Sequence, residues 1–337
     1  MDLSREILLK ESRSRKFRPE ILEKTFRLTD LLGAIDKHPF LKDRIALKGG
    51  TALNLFLFNL PRLSVDIDLN YISPSKEIGE ERTRVLQAVE AIASQNGYQI
   101  RRIPEDHAGG KWEFRYDSVL GQGGKLQIDI NFMFRVPLWE PERKDSCFIG
   151  IYQAKNTPVL EKHELVAGKL AALVSRNASR DLFDVFQLSR ETFDFEKLRT
   201  AFVVYGGVNR KDWRRVDSGS LKIDHNDASR SLLPLLKEDE LYFVKTEEGR
   251  ERLLKECHEF LKNVLPLRRN EQLFLDELLE RGQIVPSLLT DDSGLIERIS
   301  NHPGLLWKAF NVQSFKPLEA DKKESPNSFR QDFEPEP

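Results

Sequence analysis

The segment with the most chemistry in it is Arg62-Leu63-Ser64-Val65-Asp66-Ile67-Asp68-Leu69. Read as part of a strand over Leu63–Ile72, its side chains alternate between faces. Val65, Ile67 and Leu69 take a buried face, and Asp66 and Asp68 share the other. Their Cα atoms then lie about 6.6 Å apart. Like charges so placed repel unless they reach open water or a cation lies between them. Mg2+ takes oxygen ligands, commonly one or two carboxylates together with substrate phosphates. Solvated Asp-x-Asp pairs on edge strands are also common, so this motif alone leaves both readings open.

A second segment adds weight. Leu126, Ile128, Ile130, Phe132 and Phe134 are apolar, while Gln127, Asp129, Asn131, Met133 and Arg135 alternate with them. Asp is disfavoured inside strands, so Asp129 at the centre of Lys125–Arg135 needs a reason. If the two strands share a sheet, Asp66, Asp68 and Asp129 fall on one face. Three carboxylates suit two divalent cations about 3.5–4 Å apart, as in phosphoryl-transfer sites. Ahead of them, Lys48-Gly49-Gly50-Thr51 lies between a short strand, Ile45–Leu47, and a compact apolar helix reaching Asn59. Glycine permits a tight turn and close backbone approach. A helix start there offers N–H groups to a phosphate, and Thr51 could cap it or touch a phosphate oxygen. The spacing is not that of a Walker A loop.

Taken together, the glycine step with Ala52-Leu53-Asn54-Leu55 and the segment from Arg62 to Leu69 resemble the AbiEii/AbiGii toxin family of nucleotidyltransferases, including MenT-like toxins. That family lies within the polymerase-beta-like nucleotidyltransferase superfamily. The resemblance continues in Lys169-Leu170-Ala171-Ala172-Leu173 and Arg180-Asp181-Leu182-Phe183-Asp184, and covers roughly residues 19–190. It implies a Mg2+-dependent transfer of a nucleotide from an NTP to an acceptor hydroxyl, with Mn2+ as a possible substitute. Asp66, Asp68 and Asp129 would be the metal ligands and, with Lys169, the catalytic residues. Gly49, Gly50, Thr51, Ser64, Lys169, Arg180, Asp181 and Asp184 would bind the nucleotide. Gly50 stands where the wider superfamily usually has Ser, which leaves Thr51 or Ser64 to supply a hydroxyl. Lys169 would hold phosphates, and Asp181 or Asp184 would orient it or contact the nucleotide. The resemblance further implies a bacterial toxin–antitoxin or phage-defence protein of AbiE type, an AbiEi-like antitoxin as partner, and RNA, foremost tRNA, as acceptor. The rivals are a small-molecule nucleotidyltransferase and an inactive NTP-binding module.

These residues need a scaffold. Residues 19–36 read as a helix with Pro at its start, and 76–95 as a charged amphipathic helix. Tyr98–Ile103 and Lys111–Asp117 read as strands. From about Leu160 the pattern turns helical, with segments at Leu165–Arg176, Arg180–Ser189 and 195–205. Leu253, Cys257, Phe260 and Val264 form a later helical stripe. Lys169, Leu173 and Arg176 share a helix face, and Arg180 is spaced to pair with Asp184. The expected fold is α/β (α+β): a nucleotidyltransferase-type mixed sheet flanked by helices over residues 1–155, then an all-helical domain over 156–315 that closes the cleft. Residues 316–337 have the Pro-rich, charged composition of a disordered tail.

Charge and composition narrow the class. Residues 1–230 carry 38 Lys and Arg against 33 Asp and Glu, a net +5, and residues 231–337 carry 15 against 21, a net −6. A basic front permits a polyanionic partner without demanding one. Arg210-Lys211-Asp212-Trp213-Arg214-Arg215 mixes bases with an aromatic and could hold a nucleic-acid strand. Cys147 and Cys257 are the only cysteines, which excludes a disulfide framework and a Cys-based zinc site and fits a reducing cytoplasm. The histidines form no metal-binding pair, and His163 and His225 read as surface residues. No apolar run is long enough to span a membrane, and the N-terminal stretch lacks the apolar core of a secretory signal.

Overall fold

The computed structural model describes residues 3–73, 78–104 and 109–315. The expected tail, 316–337, lies outside them. Among the described residues, seven strands form one mixed sheet: β1 (Ile45–Lys48), β2 (Asp66–Tyr71), β3 (Gln99–Arg102), β4 (Gly109–Asp117), β5 (Gly123–Asn131), β6 (Glu142–Lys144) and β7 (Thr157–Val159), in the order β3-β4-β5-β2-β1-β7-β6. β2 runs parallel to β5 and antiparallel to β1. β4 is antiparallel to β5, and β7 is parallel to β1.

One face of this sheet is apolar. Leu47, Leu69 and Ile130 are neighbours across three strands, as are Ile67, Ile128 and Trp112. They are buried in one core with Leu28, Leu32 and Ile35 of α2 (Pro19–Lys37) and Val85, Val89 and Ile92 of α4 (Ile78–Gln95). Between β1 and β2, α3 (Gly49–Ala52) continues as a π-helical turn, Leu53–Leu57. A further helix, α1 (Arg5–Arg15), packs on α2.

Beyond β7 the described elements are all helical. α5 (Lys162–Arg176) packs on α6 (Ser179–Leu188) and α7 (Phe195–Val208), and touches α3. The stripe Leu253, Cys257, Phe260 and Val264 is buried, its first three residues on helix Glu247–Leu261. A single core joins sheet and helices, and the last strand of the sheet falls after residue 155.

Two strand boundaries differ from the sequence reading by three residues or more. Leu63, Ser64 and Val65 precede β2, because the chain there is tied to the helical half: Leu63 N–H donates to the Leu235 carbonyl at 2.8 Å. β5 ends at Asn131, whose Oδ1 accepts from Met133 N–H at 2.7 Å and turns the chain out of the sheet.

Candidate active site

The polar face of the sheet carries a row of four charged residues. Lys48 of β1 lies opposite Asp68 of β2, Asp68 opposite Asp129 of β5, and Asp129 opposite Lys111 of β4. The row therefore reads cation, anion, anion, cation across four adjacent strands. Asp66 lies one alternation earlier on the same face, beside Gln127. Lys111 Nζ is 3.8 Å from Asp129 Oδ2, and the Asp129 side chain is one-third exposed. Burial and then the Asp68 charge push the carboxyls of Asp66 and Asp129 above the usual range. A group of carboxylates that disfavours its own ionisation gains from a bound cation.

The donor set is hard oxygen, which fits Mg2+ or Mn2+. Among the described residues, no three His, Cys, Asp or Glu side chains stand close enough to cage a metal by themselves. No more than two of Asp66, Asp68 and Asp129 would thus meet one ion, with waters and substrate phosphates completing its shell, as Mg2+ usually requires.

Gly49 and Gly50 let this row be approached. Gly49 has φ +71°, and a Cβ there would collide with the Asp68 carboxylate. A Cβ on Gly50 would lie 2.8 Å from Arg62 Nη2 and 3.4 Å from Ser64 Oγ. The Arg62 guanidinium fills the space that a serine at position 50 would enter. Thr51 neither caps α3 nor reaches a phosphate: it is fully buried, and the cap position belongs to Lys48. Its hydroxyl bonds Ser64 Oγ at 2.8 Å and donates to the Asp66 carbonyl, fastening the entry to β2. Ser64 stays on the cavity wall.

Behind the row runs a chain of ion pairs, buried except at its Arg176 end. Arg62 grips Asp184 through Nε and Nη2, at 2.7 and 2.6 Å. Lys169 Nζ lies 2.9 Å from Asp184 Oδ2 and 2.8 Å from Asp181 Oδ1. Arg176 closes the series on Asp181 at 2.6 and 3.0 Å. Burial opposes ionisation of both carboxyls, but Arg62 and Lys169 on Asp184, and Lys169 and Arg176 on Asp181, hold them below the usual range. Burial likewise opposes the Lys169 ammonium, and Asp184 and Asp181 overcome it, leaving its affinity for the proton raised. The three cations and two anions leave one positive charge in excess, and Lys169 and Arg62 present it to the cavity.

That cavity has a volume of about 780 Å3 between the sheet and helices α5, α6 and α7. Asp66, Asp68, Gly49, Gly50, Ser64, Lys169, Arg180 and Asp181 line it, whereas Asp129, Asp184 and Thr51 do not; Asp129 sits beside the cavity, opposite Asp68 on the sheet. Asp184 is fully buried, so its geometry orients Lys169 and Arg62 and does not offer a nucleotide contact. Arg180 does not pair with Asp184, which is already held by Arg62 and Lys169; it stands on the wall and acts electrostatically on Asp66. Trp213 is fully buried against Phe202 and cannot stack on a base, while Arg210 and Lys211 do reach the cavity. His163 is also buried: its Nδ1 meets Glu161 at 2.7 Å and its Nε2 accepts from Asp194 N–H at 3.0 Å.

Several wall residues receive no role from the sequence. Lys48 and Lys111 become visible only through strand register, and Arg62 only through a partner far along the chain. Glu164 is the fourth. It is buried on α5, accepts from Tyr205 Oη at 3.1 Å and Leu138 N–H at 3.0 Å, and burial pushes its carboxyl up to about 8.

This arrangement of a dicarboxylate sheet floor, a glycine step and a cationic helical wall defines a nucleotidyltransferase. The sequence matches the family of nucleotidyltransferase AbiEii toxins, type IV toxin–antitoxin systems, over residues 30–281, and the chain belongs to that family. An NTP substrate and an antitoxin partner follow from that membership. The fold is similar to that of MenT4, a nucleotidyltransferase toxin from Mycobacterium tuberculosis H37Rv, at 18% identity and a TM-score of 0.56, covering 90% of this chain and 99% of the other. No curated protein matches the sequence. Among the described residues, no helix is long and apolar enough to cross a membrane.

Proposed function

We propose that this toxin transfers a nucleotide from an NTP to a hydroxyl of RNA, with tRNA the foremost acceptor, in a Mg2+-dependent reaction in the cytoplasm. The observation that carries this reading is that Asp66 and Asp68 share one cavity with Lys169, with Asp129 opposite Asp68 on the sheet. Asp66, Asp68 and Asp129 would hold two Mg2+ ions, or Mn2+ in their place. When bound, such ions supply Lewis-acid neutralisation of the triphosphate and a lowered pKa for the attacking hydroxyl. The acceptor oxygen forms a bond to the α-phosphorus, the bond to the β-phosphate oxygen breaks, and pyrophosphate leaves. Asp129, whose carboxyl burial and the Asp68 charge hold above the usual range, would take the hydroxyl proton. Lys169 has three donors, two of them spent on Asp181 and Asp184, and the third is available to a phosphate oxygen. Most of the rate enhancement would come from positioning and charge stabilisation.

A polyanionic acceptor is supported by the cations of the wall. Lys111, Arg176, Arg180, Arg210 and Lys211 all line the cavity, and Arg210 and Lys211 are exposed. Phage defence, with an AbiEi-like regulator as antitoxin, is the biological setting we infer from the family. The test is incubation with each labelled NTP, Mg2+ and either total RNA or a panel of small hydroxylated acceptors, beside an Asp68→Ala variant. Label in RNA that needs both Mg2+ and Asp68 supports the reading. Label only in small acceptors, or label retained by Asp68→Ala, overturns it.

A further inference from the structure

Lys48, like Lys111, is a member of the charge row to which neither the resemblance nor the motif assigns a role. It ends β1, stands opposite Asp68, and lines the cavity. Its side chain is half-buried, yet among the described residues its ammonium makes no ion pair within 4.0 Å; Nζ instead lies 5.7 Å from the centre of the Phe134 ring. Desolvation is the larger influence and loosens its hold on the proton, and the charges of Asp68 and Asp129 oppose that. Lysine elsewhere in this cavity is handled differently: Lys169 has two carboxylates within 2.9 Å. A half-buried ammonium held near anions, without a fixed partner, keeps its donors for an arriving one.

The row also makes Lys48 a competitor. A divalent cation on Asp68 and Asp129 takes the charges that favour Lys48 and adds a repulsive neighbour. A polyphosphate arriving with the cation removes that conflict, because its oxygens can meet both.

We propose that Lys48 is a catalytic residue that binds the polyphosphate of the substrate from the sheet floor and, by repelling a bare divalent cation, makes the site take metal and polyphosphate together. This rests on the reading of Asp68 and Asp129 as metal ligands. It gives Lys48→Gln effects of opposite sign: bare metal binds more tightly and polyphosphate more weakly. A residue that only supports the fold would move both the same way.

The experiment titrates full-length wild type, Lys48→Gln, Lys48→Arg and Asp68→Asn with Mn2+ alone by electron paramagnetic resonance. Calorimetry follows inorganic triphosphate with and without Mg2+, and thermal unfolding confirms each fold. Lys48→Gln should bind bare Mn2+ about threefold more tightly and triphosphate roughly tenfold more weakly, with Lys48→Arg nearer wild type on both. Unchanged affinities in Lys48→Gln, or both weakened together, overturn the proposal. Asp68→Asn examines its foundation separately: Mn2+ affinity unaffected by that change sinks the metal-site reading. The metal-free triphosphate titration still decides whether Lys48 binds phosphate.

Discussion

The Asp68 carboxylate rests against Gly49 where any other residue would place its Cβ. Two constraints therefore coincide at position 49: the positive φ of 71° and the space taken by Asp68. Gly49→Ala should cost about 1–2 kcal/mol for the left-handed backbone alone, and should displace Asp68 from the row. Thermal unfolding and NTP incorporation should both fall. An active, fully stable Gly49→Ala protein would show that this close approach is dispensable.

Asp68→Ala should separate activity from stability. It removes a like charge beside Asp66 and Asp129, both of which resist ionisation where they stand. In the absence of divalent cations the variant should unfold at or above the wild-type temperature. It should also lose the stabilisation that Mg2+ gives the wild type by binding only the folded state. Differential scanning calorimetry with EDTA and with Mg2+ reads both effects.

Lys169→Ala should weaken NTP binding and slow transfer, whereas Lys162→Ala, outside the ion-pair chain, should do neither. Because Asp181 and Asp184 keep Arg176 and Arg62, the stability loss should sit near the low end of the about 3–5 kcal/mol typical of a broken buried pair. Lys169→Arg should recover stability more than rate, since a planar fork cannot follow a phosphate as a compact ammonium does. Circular dichroism with NTP affinity distinguishes these outcomes. Equal behaviour of the Lys169 and Lys162 variants would move the phosphate contact to Arg176 or Arg180.

Glu164 sets a pH dependence. Its carboxyl titrates near 8 in the folded protein against an ordinary value of 4.5, so between those values the folded state holds the proton that the unfolded state has lost. Stability contributed by this group is present at low pH and declines as pH rises toward 8, by up to about 1.4 kcal/mol per pH unit. Glu164→Gln keeps a neutral partner for Tyr205 and should flatten that decline. Urea unfolding of both proteins from pH 5 to 9 provides the comparison, and parallel curves would exclude Glu164 as the source.

Arg210→Ala and Lys211→Ala should lower RNA affinity and reduce the slope of log affinity against log salt by about one for each phosphate no longer neutralised. Filter binding over a range of salt measures it. A slope unaltered in the double variant would place the RNA elsewhere.

The part of the site that sequence reveals is the part written in local periodicity. Asp66, Asp68 and Asp129 betray themselves as carboxylates in strand centres, and the strand register then puts them on one face. What periodicity cannot carry is the identity of the neighbouring strand. Lys48 and Lys111 enter the charge row only through pairings across the sheet. Arg62 precedes the strand that the periodicity marks, and only its partner Asp184, 122 residues on, explains its place in the interior. β7 escaped because it has three residues, one of them Pro158, and is defined by its pairing with β1. Trp213 misled for the opposite reason: basic neighbours suggested exposure, but the ring packs over Gly206 and Phe202.

The order of strands in the sheet also governs when the protein becomes dangerous. β2 pairs in parallel with β5, so the stretch of chain between them must be synthesised and folded before Asp68 meets Asp129. Lys169 and the carboxylates that hold it come later still, on helices that follow the whole sheet. Contacts between residues distant in sequence form slowly and late. A nascent, truncated or proteolysed chain therefore carries the glycine step and the Asp-x-Asp strand without an active centre. On the proposed site, nucleotide transfer belongs to the chain that includes α5 and α6, and the front half alone should transfer none.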